Sequence, residues 1–174
     1  MKSIVIYNSQ TGFTKKYAEW IAEEAGCECV LLKNASKITL ADYDAIVFGS
    51  WFMAGGITKL NWLKKQIPSL SKAGKKLIVF AVGASPAESP EVPVAMSKIF
   101  TEEEKMLVKL FYCQGGLNYE KMNGFSRFMM KMFSKALASK KDATDHDKKM
   151  AEMISNSYDI TNKKYIEPII AELK

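Results

Sequence analysis

A loop of hydroxyl-bearing and small residues carries the clearest chemistry in this 174-residue chain. It lies between a short apolar run and a stretch with helical periodicity, and consists of Ser9, Gln10, Thr11, Gly12, Phe13 and Thr14. Hydroxyls and free backbone N–H groups at the positive end of a helix dipole bind phosphate, and glycine permits the tight turn that this needs. The loop therefore predicts a phosphate site. A simple capped turn is the alternative, because Ser and Thr are also common N-caps.

The loop lacks the features of two common nucleotide sites. No Gly-Lys-Ser/Thr sequence closes it, as a site for nucleoside triphosphates would require, and the G-x-G-x-x-G spacing of dinucleotide sites is missing. The sequence therefore favours a monophosphate as the ligand.

The elements around the loop alternate between short apolar runs and helical patterns, which predicts βα units around a parallel sheet. The predicted strands are Ser3–Asn8, Glu28–Leu32, Ala45–Gly49, Lys76–Val82 and Val108–Cys113. The predicted helices are 14–25 (ended by Gly26), Lys59–Gln66, Pro93–Met106 and Lys163–Leu173. An eight-stranded α/β barrel needs a longer chain. We therefore expect one domain over 1–174, a doubly wound five-stranded parallel sheet with an insertion over about 115–159, after the fifth strand.

The phosphate loop resembles the signature of flavodoxins, in which Thr or Ser is followed by any residue, Thr, Gly, any residue and Thr. It also occurs at the family's place, directly after the first strand, and the resemblance covers nearly the whole chain. It implies an α/β flavodoxin-like fold with strand order 2-1-3-4-5, and FMN bound where the strand order reverses.

The resemblance also implies where the flavin ring binds. Flavodoxins hold it between the loops after the third and fourth strands, here 49–56 and 82–86. Trp51 offers a flat face for stacking, and Phe52 is a further candidate for ring contact. The alternative is that these side chains cap the core, and because strand alternation points them opposite ways, we expect only one of them to do so. The cofactor supplies the reactivity, so no catalytic side chain is expected. The remaining predicted cofactor contacts are Ser50, Met53, Gly83, Ala84, Ser85, Gly115 and Gly116.

The net charge of +6 is concentrated in residues 121–141, which contain six basic residues and no acid, whereas the rest of the chain is neutral. This excludes a diffuse nucleic-acid-binding surface. Apolar residues recur along one helical face of the same segment, at Phe125, Phe128, Met129, Met132, Phe133 and Ala136. Such a helix lies on an anionic membrane surface or packs on the sheet with its lysines in water, and both alternatives stay open.

Two stretches of the insertion, 115–119 and 124–131, are similar to the insertion of the flavodoxin-like, menaquinone-dependent protoporphyrinogen oxidases. This resemblance implies an oxidoreductase that passes electrons from a hydrophobic substrate through FMN to a quinone. The loop around Trp51 differs, because it lacks the basic residue that this family has there. The alternative is a flavodoxin-type carrier between protein partners. Carriers typically present an acidic face to basic partners. This chain is neutral outside one basic segment, and this difference favours the enzyme.

The remaining polar residues predict no metal site. The chain has three cysteines, which cannot pair completely, and a single histidine, so we expect no four-ligand zinc site and a reduced compartment. We expect Cys113 to be buried packing, and Asp142, Asp145, His146 and Asp147 to form a solvated loop. The expected location is cytoplasmic, with peripheral contact at the inner face of the cell membrane through 121–141.

Overall fold

The computed structural model describes all 174 residues and contains a sheet with five parallel strands. The strands of this sheet are β1 (Ser3–Tyr7), β2 (Glu28–Leu31), β3 (Ala45–Met53), β4 (Gly56–Ile57), β5 (Lys76–Gly83) and β6 (Val108–Gln114). The short β4 pairs antiparallel with the end of β3, and the parallel strands follow the order β2-β1-β3-β5-β6. With β4 left out, this is the predicted order 2-1-3-4-5, and the predicted flavodoxin-like fold is confirmed.

Helices cover both faces of the sheet. They are α1 (Phe13–Ala25), α2 (Asn61–Lys64), α3 (Ile67–Lys72), α4 (Glu91–Ser97), α5 (Glu102–Leu107), α6 (Gly124–Ala138), α7 (Asp145–Ile154) and α8 (Glu167–Leu173). Short 3-10 turns occur at 32–37, 40–42 and 163–166. None of the helices combines the length and the apolar character that crossing a bilayer requires.

Strand alternation divides the core into two apolar clusters, one on each face of the sheet. One contains Ile6, Phe48 and Val79 together with side chains from α2, α3 and the segment before α5. The other contains Val47 and Phe80 together with apolar residues of α1 and α8. Because the central strands are buried on both faces, they appear in the sequence as continuous apolar runs. Cys113 is fully buried in the second cluster, as predicted.

The prediction of one helix over Pro93–Met106 is wrong. The chain leaves helical geometry after Ser97, buries Ile99 and Phe100, and starts α5 at Glu102. The new start is fixed by a capping box, in which the Thr101 hydroxyl accepts from the Glu104 amide (3.2 Å) and the Glu104 carboxylate accepts from the Thr101 amide (3.0 Å).

Three other expectations are corrected. Within the helix predicted over Lys59–Gln66 only α2 is helical, and a second short helix, α3, follows this segment. A 3-10 turn precedes α8 in the segment predicted as Lys163–Leu173. The solvated loop predicted at Asp142–Asp147 is the start of α7, because Thr144 and Asp147 form a second capping box.

The two ends of the segment after β6 lie side by side. Strands β7 (Gly116–Leu117) and β8 (Tyr158–Asp159) pair antiparallel at its two ends. Between them α6 packs against α7, and the Ser134 hydroxyl donates to the carbonyl of Ala151 over 3.1 Å. The predicted insertion therefore contains a helix pair that is closed at its base by a two-stranded sheet.

Candidate functional site

The loop after β1 presents unused donors at the start of α1. Gly12 has φ 104°, a left-handed conformation that favours glycine, and its amide donates to the Ser9 hydroxyl over 3.2 Å. No side chain caps α1 and no acidic residue lies in its first turn. The amides of Phe13, Thr14 and Lys15 donate to no protein acceptor. This arrangement fits an anionic ligand, because the helix dipole and free N–H groups favour negative charge at this point.

Nearby cations are engaged elsewhere. Lys15 pairs with Glu19 (3.5 Å), and the Lys16 ammonium group lies 2.9 Å from an oxygen of Asp159. Thr14 is only 2% exposed, which places its side chain against the body of the domain, while Thr11 is half-buried. The loop therefore offers an anion amides and hydroxyls rather than charged side chains, as the sequence predicted.

The segment after the third predicted strand is not a loop. β3 continues to Met53 and turns back into β4 through Ala54 (φ 50°) and Gly55 (φ 80°), and two left-handed residues in a row are typical of a type I′ hairpin. The predicted strand end at Gly49 is wrong for this reason. The predicted ring contacts Ser50, Trp51, Phe52 and Met53 accordingly lie on a strand, whose alternation fixes their directions.

Trp51 and Phe52 point to opposite faces, as expected. Phe52 packs against the apolar cluster on the α2–α5 face. Trp51 is half-buried, and its indole Nε1 is buried with no hydrogen-bond partner within the protein. An unpartnered buried donor is uncommon, and here it lies at the carboxyl edge of the sheet, where ligands of open α/β sheets bind. Met53 is 44% exposed at the tip of the hairpin.

A buried polar cluster connects the phosphate loop with this hairpin. The Asn8 side-chain amide donates to the hydroxyls of Ser50 (3.0 Å) and Thr58 (3.4 Å), which lie 2.8 Å from each other. Ser50 is fully buried, and the Thr58 hydroxyl also donates to the Trp51 carbonyl over 3.1 Å. Sequence reasoning missed Asn8 and Thr58. Asn8 could have been found as the polar residue that ends β1, whereas nothing in the sequence marks Thr58.

The loop after β5 is held by tyrosines from other segments. Tyr112 donates to the Ser85 carbonyl and Tyr158 donates to the Ala84 carbonyl, both over 2.8 Å. Burial raises the pKa of both phenols, so they stay protonated donors. The amides of Ala84 and Ser85 donate to no protein acceptor and stay free for a ligand.

Gly83 has a packing role beside its predicted cofactor role. A Cβ at this position would lie 2.3 Å from the Tyr112 hydroxyl, so glycine is needed for the close approach. Phe52 and the segment 83–85 line one cavity of about 70 Å³, with Tyr112 and residues of α4 completing its wall. The structure thus brings part of the two predicted ring segments together.

Gly115 and Gly116 allow the insertion to pack against the phosphate loop. A Cβ at Gly115 would lie 2.6 Å from a methyl group of Val82, and one at Gly116 would lie 2.1 Å from the Tyr158 carbonyl oxygen. Phe13 of the phosphate loop is also near, at 3.3 Å and 3.0 Å from these two Cβ positions. Both glycines therefore have a packing reason, and their predicted contact with the cofactor stays a prediction.

The first turn of α6 also contacts the phosphate loop. The Asn123 side chain caps α6 by accepting from the Ser126 amide (2.8 Å), and the Ser126 hydroxyl donates to the Gln10 side-chain oxygen (3.4 Å). Ser126 is 8% exposed, whereas its neighbour Phe125 is 67% exposed. The first turn of α6 therefore contacts the predicted phosphate site, and the exposed Phe125 is the neighbour in sequence of the contacting residue.

Comparison with known proteins agrees with this geometry. The flavodoxin domain family matches residues 4–145. Among curated proteins, the protoporphyrinogen IX dehydrogenase (quinone) of Leishmania major is 23% identical over 158 residues, 82% of this chain and 66% of that protein. The chain thus spans slightly less than two thirds of this relative's length.

Two solved structures are also similar to parts of this chain. The Trp repressor binding protein of Bacillus subtilis is 19% identical, with a TM-score of 0.49 over 67% of this chain and 85% of that one. A flavoprotein from Lactobacillus acidophilus, solved in complex with FMN, is 17% identical, with a TM-score of 0.45 over 65% of this chain and 91% of that one.

The family match covers most of the sheet and the whole phosphate loop. It agrees with the free amides at the start of α1, and together they support FMN as the cofactor. The chain belongs to the flavodoxin domain family, as the family match shows and as the strand order of the sheet and the loop after β1 agree.

Proposed function

We propose that this protein is an FMN-dependent oxidoreductase that transfers electrons from a hydrophobic substrate to a quinone. The contact between Ser126 and Gln10 carries the proposal, because it holds the Met- and Phe-rich insertion against the phosphate loop. The same helix exposes apolar side chains, among them Phe125, that suit a large flat substrate or a quinone. The name of the Leishmania major relative, protoporphyrinogen IX dehydrogenase (quinone), supports the same class of reaction.

Bound FMN supplies the redox chemistry, and the residues of this chain bind and orient it. The free amides of Phe13, Thr14 and Lys15 suit the phosphate. The free amides of Ala84 and Ser85, held in place by two tyrosines, suit the polar edge of the ring. Trp51 offers its face, or its unpartnered Nε1, to the same ligand.

The distribution of charge favours an enzyme over a carrier. Outside residues 121–141 the chain has as many basic as acidic residues. A flavodoxin-type carrier needs a charged face that complements its protein partners. Equal numbers of basic and acidic residues do not indicate an acidic face of that kind.

The proposal is tested by anaerobic reduction of the FMN-loaded protein. With protoporphyrinogen as the hydrophobic donor, we expect the flavin absorbance to bleach, and then to recover on addition of a menaquinone analogue. The Phe125→Ser variant should raise the KM for the donor while leaving the flavin spectrum unchanged, and Met106→Ser, which changes an exposed side chain outside the insertion, serves as control.

Two outcomes would overturn the proposal. One is a flavin that neither donor nor quinone turns over but that exchanges electrons readily with a redox protein, which would identify a carrier. The other is turnover that Phe125→Ser and Met106→Ser alter equally, which would remove the insertion from the substrate site.

A further inference from the structure

Helix α6 exposes a continuous apolar stripe. Five of the ten large exposed hydrophobic residues of the chain lie on this helix, with exposures of 47–67%. Their spacing of i, i+3, i+4, i+7 and i+8 places them on one face, and they are Phe125, Phe128, Met129, Met132 and Phe133. Patches of this kind on a soluble surface indicate an interaction site.

The opposite side of α6 is already occupied. Ser126, Met130, Ser134 and Leu137 are the buried or half-buried residues of the helix, and they recur at helical spacing on the side that packs against α7. The Ser134 hydroxyl donates to the Ala151 carbonyl, and Ser126 contacts Gln10. These contacts fix the rotation of α6, so the apolar stripe stays outward.

Cations line one border of the stripe. Lys131 and Lys135 follow Phe128 by three and seven residues, which places both beside it on the helix surface, whereas Arg127 lies farther round the helix, towards Ser134, and donates to the Glu120 carbonyl. None of the three forms an ion pair. No acidic residue occurs in 121–141, so this border is purely basic.

We propose that this face of α6 docks on an anionic lipid bilayer, with the helix lying in the plane of the interface. Phenylalanine and methionine side chains enter the boundary between headgroups and acyl chains, while Lys131 and Lys135 contact anionic headgroups. A second copy of this chain fits less well, because a two-fold contact along the stripe brings the same unpaired cations together.

The inference does not depend on the electron donor or acceptor. Because the first turn of α6 contacts the phosphate loop, docking brings the flavin site close to the bilayer. Lipid-dissolved redox partners would then reach the site without entering water.

The test is co-sedimentation of the full chain with phosphatidylcholine vesicles and with vesicles that also contain phosphatidylglycerol. We expect binding to the anionic vesicles only. Phe128→Ser with Met132→Ser should lower the partition coefficient about ten-fold or more, because it removes two inserted side chains. The matched control is Val94→Ser with Met106→Ser, which changes two exposed apolar residues elsewhere and should not alter binding.

A second pair of variants tests the charges. Lys131→Gln with Lys135→Gln should weaken binding several-fold and lower its salt dependence. Lys33→Gln with Lys37→Gln removes the same charge at the same spacing from another exposed segment and should leave binding nearly unchanged. Circular dichroism of each variant checks that α6 is retained.

Three results would overturn the proposal. The first is a full-length protein that binds neither kind of vesicle. The second is an equal loss of binding in both lysine variants, which would reduce the effect to net charge. The third is a dimer that Phe128→Ser dissociates, with no vesicle binding, which would assign the stripe to a second copy.

Discussion

Helices α1 and α6 have similar lengths, 13 and 15 residues, and each carries apolar side chains along one face. In α1 that face is covered by the sheet and α8, and Tyr17 and Ile21 are fully buried. In α6 the corresponding face is open, and Phe128 is 60% exposed. The periodicity of a helix thus predicts that an apolar face exists, and its surroundings decide whether that face stabilises the fold or remains available for a partner.

The two helices also begin differently. Asn123 caps α6, whereas no side chain caps α1 and its first amides are free. A capped start satisfies the helix from within the chain, and an uncapped start at the carboxyl edge of a parallel sheet leaves donors for a ligand. The fold therefore leaves backbone donors available at the start of α1 and an apolar face exposed along α6.

The largest expected effect tests which apolar face belongs to the core. Ile21→Ala should lower the free energy of unfolding by about 2–5 kcal/mol, because it leaves a cavity in the core. Phe128→Ala should change it by no more than about 0.5 kcal/mol, because the ring is exposed. Urea denaturation of the two variants measures the difference. Equal losses would show that the α6 stripe is covered within the protein.

An intermediate effect tests the uncapped start of α1. Thr11→Ala with Thr14→Ala should weaken FMN binding about ten-fold, through the loss of two hydroxyls that suit the phosphate. Titration of the apoprotein with FMN, followed by flavin fluorescence, measures the dissociation constant.

Thr101→Ala is the matched control for that pair. It removes the cap of α5 and should cost about 1 kcal/mol of stability without changing FMN affinity. An unchanged dissociation constant in the Thr11/Thr14 variant would place the phosphate elsewhere.

The sheet and the phosphate loop were predictable because their signals are local. Buried parallel strands such as β1 appear as unbroken apolar runs, and Gly12 follows directly on the hydroxyl-bearing residues of its loop. The break before α5 was also marked, by Thr101 and Glu104, and was missed because the apolar pattern continues across it.

Other parts of the site depend on contacts that no local pattern encodes. Tyr158 reaches Ala84 across 74 positions of the chain, and Thr58 reaches Asn8 across 50. The hairpin at the end of β3 escaped prediction because Ala54 rarely adopts positive φ, so the turn lacks the usual Asn-Gly signature. Which face of α6 is covered depends on α7, a helix that the sequence did not reveal.

The smallest expected effect concerns the ion pair that connects α1 with the end of the insertion that contains α6. Lys16 of α1 pairs with Asp159 of β8, at the end of the insertion, over 2.9 Å. Partial burial by itself raises the pKa of Asp159, but hydrogen bonds from Thr161 and the Lys16 ammonium group outweigh it and lower the pKa below its ordinary value. A carboxylate with a lowered pKa stabilises the fold at neutral pH, and this contribution disappears as the pH falls below about 4.

Asp159→Asn should therefore flatten the acid side of the stability profile. Both partners of the pair are about half exposed, so solvent screening limits the coupling between Lys16→Gln and Asp159→Asn to about 0.5 kcal/mol at pH 7. A double-mutant cycle from urea denaturation at pH 7 and pH 3 measures it, with Lys15→Gln and Glu19→Gln, an exposed pair within α1, as the reference cycle. A coupling that does not fall between pH 7 and pH 3 would mean that the carboxylate charge is not its source. A coupling between Lys16 and Asp159 that exceeds the reference at pH 7 and falls at acid pH would show that charge helps to hold the insertion against α1, whose buried face belongs to the core.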